Sequence, residues 1–377
     1  MKRFSTFIII IALITTISCF RTSAESGPSV SAPSALLMEQ STGKVLFEKN
    51  ADEKRAPASV TKIMTLLLIM EALEEGVIAW DTPISVSSAA AGMGGSQVYL
   101  KEGETMTVEE MIKCIAVVSA NDCCVAMAEH LSGSVASFIE EMNIRAKELG
   151  MENTRFNSCT GLDTEEHYTT ARDIALMSRE LMQHEQIQNY TTIWMDSVRN
   201  GSFSLSNTNK LVRYYEGATG LKTGYTSSAG YCLSATATRD GLSLIAVVLG
   251  AESSSNRFDD AKALLNHGFS KYSLYCEQPQ LPGPVNVVKG TEKTVAPIPS
   301  EAPLFLIPKG SEKDITYRID LPETVHAPVD PKQRLGRIDY LLNGEIIGSI
   351  DLLAEKEVPF IGFWQLFFQL IQYFFAV

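Results

Sequence analysis

The 377-residue sequence predicts an α/β domain with an antiparallel sheet and a helical lobe, followed by a small all-β domain and a C-terminal amphipathic helix. Strand-like runs lie near the start of the chain and again after residue 220, and helical patterns fill the stretch between them. Beyond Cys276 the composition changes to Pro, Gly, Val and alternating patterns, which favour short strands. A sheet assembled from both ends of the first unit would leave a cleft beside the helical lobe.

The first unit opens with two strand-like runs, 35–39 and 45–47, around a turn at 41–44. A nearly continuous apolar run from Val60 to Leu73 predicts a helix that is buried on all sides. Thr107 and Glu110 form a capping box, which opens a helix through about Val118. Further patterns predict helices at about 122–131, 134–149 and 171–182, strands at 221–226, 231–237 and 244–249, and a closing helix at 257–269.

The N-terminus has the pattern of a secretory signal peptide over residues 1–24. Lys2 and Arg3 precede an apolar run through Ile17, and small residues lead to a cleavage site after Ala24. A transmembrane anchor is disfavoured because the run is shorter than the roughly 20 residues that a span needs. Lipidation at Cys19 is a second, weaker alternative. Cleavage would lower the net charge from −12 to −15, because the segment holds three basic residues and no acidic one.

The C-terminus, residues 358–377, reads VPFIGFWQLFFQLIQYFFAV, the most apolar stretch after the signal peptide. Gln365, Gln369 and Gln372 lie on one stripe of a helix from Phe360 to Phe375. That helix would be about 24 Å long, shorter than a bilayer core of about 30 Å. We therefore expect it to lie in the membrane surface, and a helix packed on a domain is the alternative.

Composition excludes several classes of function. Forty-four acidic residues against 32 basic ones, with no basic run, exclude a nucleic-acid partner. No C-x-x-C pair and no H-E-x-x-H motif occurs, so neither a metal nor a cofactor is predicted. The six cysteines after the signal peptide, including Cys123 and Cys124, are predicted to be mostly buried free thiols. The five histidines are scattered and no G-x-S-x-G motif is present, which disfavours a Ser-His-Asp hydrolase.

The first chemical pattern places Ser59 and Lys62 three residues apart on a helix, so that hydroxyl and amine share one face. Burial in so apolar a helix would lower the pKa of the amine and let it take the serine proton. Ser41 and Lys44 have the same spacing, but they lie on a predicted turn, where neither the helix nor the burial is provided. The context therefore favours Ser59.

Two further patterns follow along the chain. Ser119 and Asn121 lie between two predicted helices, where a loop could present a hydroxyl and an amide to a cleft. Lys222, Thr223 and Gly224 lie on a predicted strand, where the glycine would let a substrate backbone approach the sheet closely. Each pattern alone is weak, and a purely structural explanation is the better one. Their combination, in this order on helix, loop and strand, is a strong signal.

With these three patterns, the sequence resembles the penicillin-recognising serine acyl-transferases, which carry S-x-x-K, S-x-N and K-T-G motifs. It is most similar to the low-molecular-mass penicillin-binding proteins, the serine-type D-alanyl-D-alanine carboxypeptidases. The resemblance runs from about Ala35 to Phe269 and includes residues 161–163 and 170–173. It implies a penicillin-recognising serine transpeptidase-like (β-lactamase-like) fold.

The resemblance implies a role for each motif residue. Ser59 would attack the carbonyl of the penultimate D-Ala, with Lys62 as its base. Ser119 would relay a proton towards the leaving D-Ala, and Asn121 would hold the peptide amide. Lys222 would keep the site cationic. Water would then release the acyl group.

The remaining roles concern the substrate's end and its reacting carbonyl. Thr223 and Arg257 would bind the terminal carboxylate, because a guanidinium can bind a carboxylate with two hydrogen bonds. A surface cap on the closing helix is the alternative for Arg257. The backbone N–H groups of Ser59 and Tyr225 would form an oxyanion hole. Some relatives have His in place of Tyr225, so its side chain has no predicted role.

The resemblance also implies the partners and the layout. The substrate would be a peptidoglycan stem peptide ending in D-Ala-D-Ala, and β-lactam antibiotics would acylate the same serine. The predicted division is a signal peptide (1–24), a catalytic domain (25–276), a β-rich domain (277–356) and an amphipathic membrane anchor (357–377). Residues 358–377 would hold the exported enzyme at the outer face of the cytoplasmic membrane.

Three alternatives remain open. A β-lactamase would need an additional base, and no clear Glu-x-x-Leu-Asn pattern follows Ser119. A peptidoglycan DD-endopeptidase would use the same chemistry on cross-links. A non-catalytic wall-binding scaffold would keep the fold but not the turnover, and the intact motif residues disfavour it.

Overall fold

A five-stranded antiparallel sheet organises the first unit of the computed structural model, which describes residues 27–375. The strands of this unit are β1 (Ser34–Glu39), β2 (Val45–Lys49), β3 (Pro83–Ser85), β4 (Thr105–Thr107), β5 (Met195–Val198), β6 (Phe203–Ser206), β7 (Ala218–Thr226), β8 (Gly230–Arg239) and β9 (Leu242–Ala251). The sheet has the order β2-β1-β9-β8-β7, which confirms that both ends of the unit build it. The predicted signal peptide and Cys19 lie outside the described residues.

The helices are α1 (Lys62–Glu74), α2 (Ser88–Ala91), α3 (Val108–Val118), α4 (Asn121–Ser132), α5 (Val135–Glu148), α6 (Ala171–Leu181), α7 (Gln188–Thr191), α8 (Leu211–Tyr214), α9 (Ser254–Lys271) and α10 (Phe363–Phe375). The predicted helix from Val60 differs at its start, because Ala58–Thr61 form a 3₁₀ turn and the α-helix begins at Lys62. Thr107 caps α3 through the predicted capping box with Glu110. The closing helix begins three residues earlier than predicted, because Ser253 caps it.

Helices cover the sheet on both faces. Leu244, Ala246 and Val248 of β9 belong to the apolar cluster that contains α9, and the alternate residues Ile245 and Val247 belong to the cluster of the helical lobe. This division follows from the two-residue alternation of side chains along a strand. The sheet is therefore a buried layer, and the site lies at its β7 edge beside the lobe.

The second unit contains β10 (Tyr272–Tyr275), β11 (Val285–Val288), β12 (Thr294–Val295), β13 (Pro297–Pro299), β14 (Phe305–Pro308), β15 (Ile315–Asp320), β16 (Thr324–His326), β17 (Arg334–Leu342) and β18 (Glu345–Ala354). Asn343 and Gly344 have φ values of 52° and 85° and form the predicted β17–β18 hairpin turn. Strand β10 lies before the predicted boundary at 276, and it pairs with β14 beyond that boundary.

The C-terminal helix α10 begins at Phe363, three residues after the predicted start at Phe360. Val358, before it, is fully buried and pairs with Val329 of the β-rich unit. Among residues 27–375, no helix has the length and hydropathy that a membrane span requires. The side chains of Phe363, Trp364 and Phe368 are each more than 60% exposed.

Candidate active site

Ser59 and Lys62 are in contact where the 3₁₀ turn passes into α1. Lys62 Nζ lies 3.0 Å from Ser59 Oγ, 2.6 Å from Asn121 Oδ1 and 2.6 Å from the backbone oxygen of Thr160. The two carbonyl oxygens can only accept hydrogen bonds, so they take two N–H groups of the amine. A neutral amine then has its lone pair left for the Ser59 proton. The geometry suits proton abstraction from Ser59 by Lys62.

Burial favours that neutral amine. Lys62 is 0% exposed, and its burial lowers its pKa below the usual range for lysine. The negative field of Asp122 acts in the opposite direction. Asp122 is itself buried and accepts hydrogen bonds from the backbone N–H groups of Val98, Leu100 and Cys123.

Two glycines make room for the turn that carries Ser59. A Cβ on Gly161 would lie 1.9 Å from the Ala58 oxygen, and a Cβ on Gly224 would lie 2.8 Å from the Pro57 oxygen and 3.0 Å from Ser59 N. The sequence predicts that a substrate backbone approaches β7 closely at Gly224. In the structure, the backbone of Pro57 and Ser59 makes that close approach. Gly224 joins β7 to the nucleophile's turn.

Ser119 and Asn121 lie at the junction of α3 and α4, as predicted. Ser119 ends α3 in the left-handed region at φ 65°, and its Oγ is buried with no hydrogen-bond partner among the described residues. The Oδ1 of Asn121 accepts a hydrogen bond from Lys62 Nζ, and its Nδ2 donates one to the backbone oxygen of Gly94 at 2.7 Å. The amide therefore holds the base in place, and the Ser119 hydroxyl is unengaged.

Strand β7 carries Lys222 and Thr223. Lys222 is 1% exposed and donates to the backbone oxygen of Thr223 at 3.0 Å. Burial, together with the positive charges of Lys62 and Arg257, lowers the pKa of Lys222 well below its usual range. The Thr223 hydroxyl donates to Thr208 Oγ1 at 2.7 Å.

Arg257 lies behind β7 and not on the surface, where the capping alternative would place it. It is 8% exposed, and its Nη1 donates to the backbone oxygens of Gly224 at 3.0 Å and Cys232 at 3.4 Å. Its guanidinium carbon lies 5.4 Å from the centre of the Tyr231 ring. Tyr231 in turn packs against Tyr225, which is 54% exposed.

The structure brings most of the predicted residues into one connected group, although the Ser119 hydroxyl forms no hydrogen bond to any described residue. Lys62 contacts Ser59 and Asn121, Gly224 packs against the turn of Ser59, and Arg257 holds Gly224. Reasoning from the sequence missed Thr208, Thr61 and His167. No local motif marks these residues, and each is identified only by a hydrogen bond to a residue distant in the sequence.

Comparisons with known proteins agree with this geometry. The family model described as D-alanyl-D-alanine carboxypeptidase matches residues 21–253. The chain belongs to this D-alanyl-D-alanine carboxypeptidase family. A second model, described as the C-terminal domain of penicillin-binding protein 5, matches residues 269–359. The resemblance and the fold class predicted from the sequence are therefore confirmed.

Relatives in this carboxypeptidase family cover most of the chain. D-alanyl-D-alanine carboxypeptidase DacF of Bacillus subtilis is 42% identical, over 88% of this chain and 87% of that protein. Penicillin-binding protein 5 from Haemophilus influenzae has a TM-score of 0.77 at 29% identity, over 89% of this chain and 99% of that one. Penicillin-binding protein D2 from Listeria monocytogenes, in its ampicillin-bound form, has a TM-score of 0.59 at 33% identity, over 64% and 98%. These matches support a serine-type carboxypeptidase and do not favour an endopeptidase or a scaffold.

Proposed function

We propose that this chain removes the terminal D-Ala from peptidoglycan stem pentapeptides through an acyl-serine intermediate, and that penicillins acylate the same serine. The observation that carries the proposal is the buried Lys62 amine 3.0 Å from Ser59 Oγ. Membership of a family described by this activity supports it, as does the ampicillin-bound relative from Listeria.

In the proposed acylation step, neutral Lys62 takes the Ser59 proton while Ser59 Oγ attacks the carbonyl of the penultimate D-Ala. Negative charge then develops on the carbonyl oxygen. The backbone N–H groups of Ser59 and Tyr225 would stabilise that charge, each donor contributing about 3 kcal/mol. The close packing of Gly224 against Ser59 N supports this pairing, because it holds the backbone of β7 against that of the 3₁₀ turn.

The tetrahedral intermediate then expels the terminal D-Ala. Ser119 would pass the proton from Lys62 to the leaving amine, and its unengaged, buried hydroxyl supports that role. The bond between the carbonyl carbon and the D-Ala nitrogen breaks, which leaves the acyl group on Ser59. Water activated by the same Lys62 amine would hydrolyse the ester.

Specificity for a free C-terminus would come from β7. Thr223 would turn its hydroxyl from Thr208 to the substrate carboxylate. Arg257, which donates to the backbone oxygen of Gly224 and is paired with no carboxylate among residues 27–375, would supply the positive charge. Lys222 adds a second cationic group when it is protonated.

The proposal is tested with a fluorescent penicillin and a synthetic pentapeptide. Ser59→Ala is expected to abolish covalent labelling and the D-Ala release that mass spectrometry detects. Ser41→Ala is the matched control, because Ser41 and Lys44 repeat the spacing on an exposed turn. Labelling of Ser59→Ala, or its loss in Ser41→Ala, would contradict the proposal. A cross-linked dimer and nitrocefin, offered as substrates, separate endopeptidase and β-lactamase activity from the proposed one.

We also propose that residues 1–24 export the protein and that residues 358–377 attach it to the outer face of the cytoplasmic membrane. The exposed aromatic side chains of α10 support attachment by apolar insertion. The segment contains no charged residue. Binding to neutral phosphatidylcholine vesicles should therefore be at least as strong as binding to anionic ones, and it should be lost when residues 358–377 are removed. Binding only to anionic vesicles would contradict this mode of attachment.

A further inference from the structure

His167 is a buried histidine that the proposed reaction does not use, and it is linked to the nucleophile's turn. The residue is 6% exposed and packs against the ring of Phe156. Its Nδ1 accepts a hydrogen bond from the backbone N–H of Asn157 at 2.9 Å, and its Nε2 lies 2.8 Å from Thr61 Oγ1. Both ring nitrogens are therefore engaged.

The hydrogen bonds determine where the protons are. The Asn157 N–H can only donate, so Nδ1 carries a lone pair and Nε2 carries the proton. The Thr61 hydroxyl has one proton, which it donates to the backbone oxygen of Ala58 at 2.8 Å. Thr61 must therefore accept from His167 Nε2. The hydrogen bonds at Nδ1 and at Nε2 therefore require the same neutral tautomer of His167.

This series of hydrogen bonds, from His167 through Thr61, ends on the peptide unit that contains the Ser59 N–H. The Ala58 oxygen and the Ser59 N–H belong to one planar trans peptide, so fixing the direction of the oxygen fixes that of the N–H. Ala58 has φ 49°, a left-handed conformation that is unfavourable for a non-glycine residue. Gly161 leaves the space that this oxygen occupies.

We propose that His167 is a positioning residue for the oxyanion hole, acting through Thr61 on the Ala58–Ser59 peptide. The inference rests on the proposed function, in which the Ser59 N–H stabilises the developing oxyanion. A hydrogen bond to the carbonyl end of a peptide polarises that peptide and strengthens its N–H as a donor. His167 thus aligns and strengthens one donor without touching the substrate.

Only the neutral imidazole fits this position, because a protonated Nδ1 would face the Asn157 N–H donor to donor. Burial lowers the pKa of His167 to about 4, and the nearby Asp163 carboxylate acts in the opposite direction. The adjacent Glu165, the mutually paired Arg155 and Glu166, and Lys54, which lies over the ring of Tyr168, are further charged groups near this loop. The hydrogen bonds that link Asn157, His167 and Thr61 are therefore intact at neutral pH.

The test uses the full chain and measures kcat and KM for D-Ala release, the rate of penicillin acylation, and Tm. Thr61→Val removes the link and keeps the shape of the side chain. Loss of one hydrogen bond is expected to lower kcat and acylation about tenfold, with KM near the wild-type value. Ser178→Ala is the matched control, because it removes a buried hydrogen bond to Ser234 at 2.8 Å away from the turn. It should lower Tm but leave kcat within about twofold.

The histidine itself is tested from the other end. His167→Phe should lower kcat about as much as Thr61→Val, and the double variant should lower it no further, because both changes break one chain. His167→Gln, whose amide can still donate to Thr61, should restore part of the rate. Wild-type kcat in folded Thr61→Val and His167→Phe would overturn the inference, as would equal loss in Ser178→Ala. Failure of the wild-type chain to acylate would instead overturn the proposed function.

Discussion

Asp339 in the β-rich unit and Lys62 and Lys222 in the first unit are buried in opposite surroundings. In the β-rich unit, Asp339 is 1% exposed and is paired with Arg318 at 2.7 Å and hydrogen-bonded to Ser349. In the first unit, Lys62 and Lys222 are as deeply buried, and neither forms an ion pair within residues 27–375.

This difference distinguishes a charged group that stabilises the fold from an amine that can take part in the reaction. The contacts from Ser349 and Arg318 lower the pKa of Asp339, which favours its charged form. Burial lowers the pKa of both lysines, which favours their neutral form. A buried charge with a full set of partners stabilises a fold, whereas a buried amine without a counter-ion is available as a base.

The largest effect is expected from Lys62→Arg, which keeps a cation at the site but removes the base. Guanidinium stays protonated at any accessible pH, so it cannot take the Ser59 proton. Penicillin acylation should fall by about three orders of magnitude. Lys44→Arg, in the repeated spacing, should acylate at the wild-type rate. Rapid acylation of Lys62→Arg would remove the distinction between the two kinds of buried charge.

Gly161→Ala tests the packing that supports the site. The new Cβ would meet the Ala58 oxygen at 1.9 Å, in a backbone with φ +81°. We expect a loss of more than about 4 kcal/mol in the free energy of unfolding, together with loss of acylation by the protein that remains folded. Gly150→Ala has a similar φ, +74°, with open space around it. It should cost only about 1–2 kcal/mol, and chemical denaturation compares the two.

Protonation of His167 should make the free energy of unfolding fall at acidic pH. Its folded-state pKa of about 4 lies below the ordinary 6.5, so its contribution to stability is present above pH 6.5. That contribution, about 3 kcal/mol at neutral pH, should be lost as the pH falls from about 6.5 to 4. The free energy of unfolding of the wild type should therefore fall relative to His167→Gln over this window. A constant difference between them would show that His167 titrates normally.

The smallest catalytic effect is expected from Asp339→Asn in the β-rich unit. The change removes a charge that Arg318 and Ser349 contact, and it should cost about 1–2 kcal/mol in the free energy of unfolding. D-Ala release by the folded protein should be unchanged. A large fall in kcat would mean that the buried charge of the β-rich unit influences the reaction.

Much of the fold was predictable because its signals are local. The capping box at Thr107, the hairpin at Asn343-Gly344 and the apolar run of β9 all depend on neighbouring residues. The two strand-rich ends also predicted that both ends of the unit build the sheet, whereas the order of its strands came only from the structure. The start of α9 was misplaced, because Ser253 was not recognised as its cap.

The candidate site was predictable only in part. Ser59 and Lys62 lie one turn apart in the chain, so their contact follows from helical geometry. The burial of Arg257 behind β7 does not follow from its place on a helix, and neither does the contact between Thr208 and Thr223. Both depend on how α9 and the segment before α8 pack against the sheet.

By itself, the sequence determined the family, the three motifs and the residues that could carry the chemistry. Only the tertiary structure decided which groups assist them. Thr61 and His167 are 106 positions apart in the chain, and no local pattern relates them. Their hydrogen bond exists because a loop folds back over the 3₁₀ turn, and burial then gives the histidine a single proton arrangement. Spacing along a chain determines contacts within one element, but contacts between elements require the packed fold.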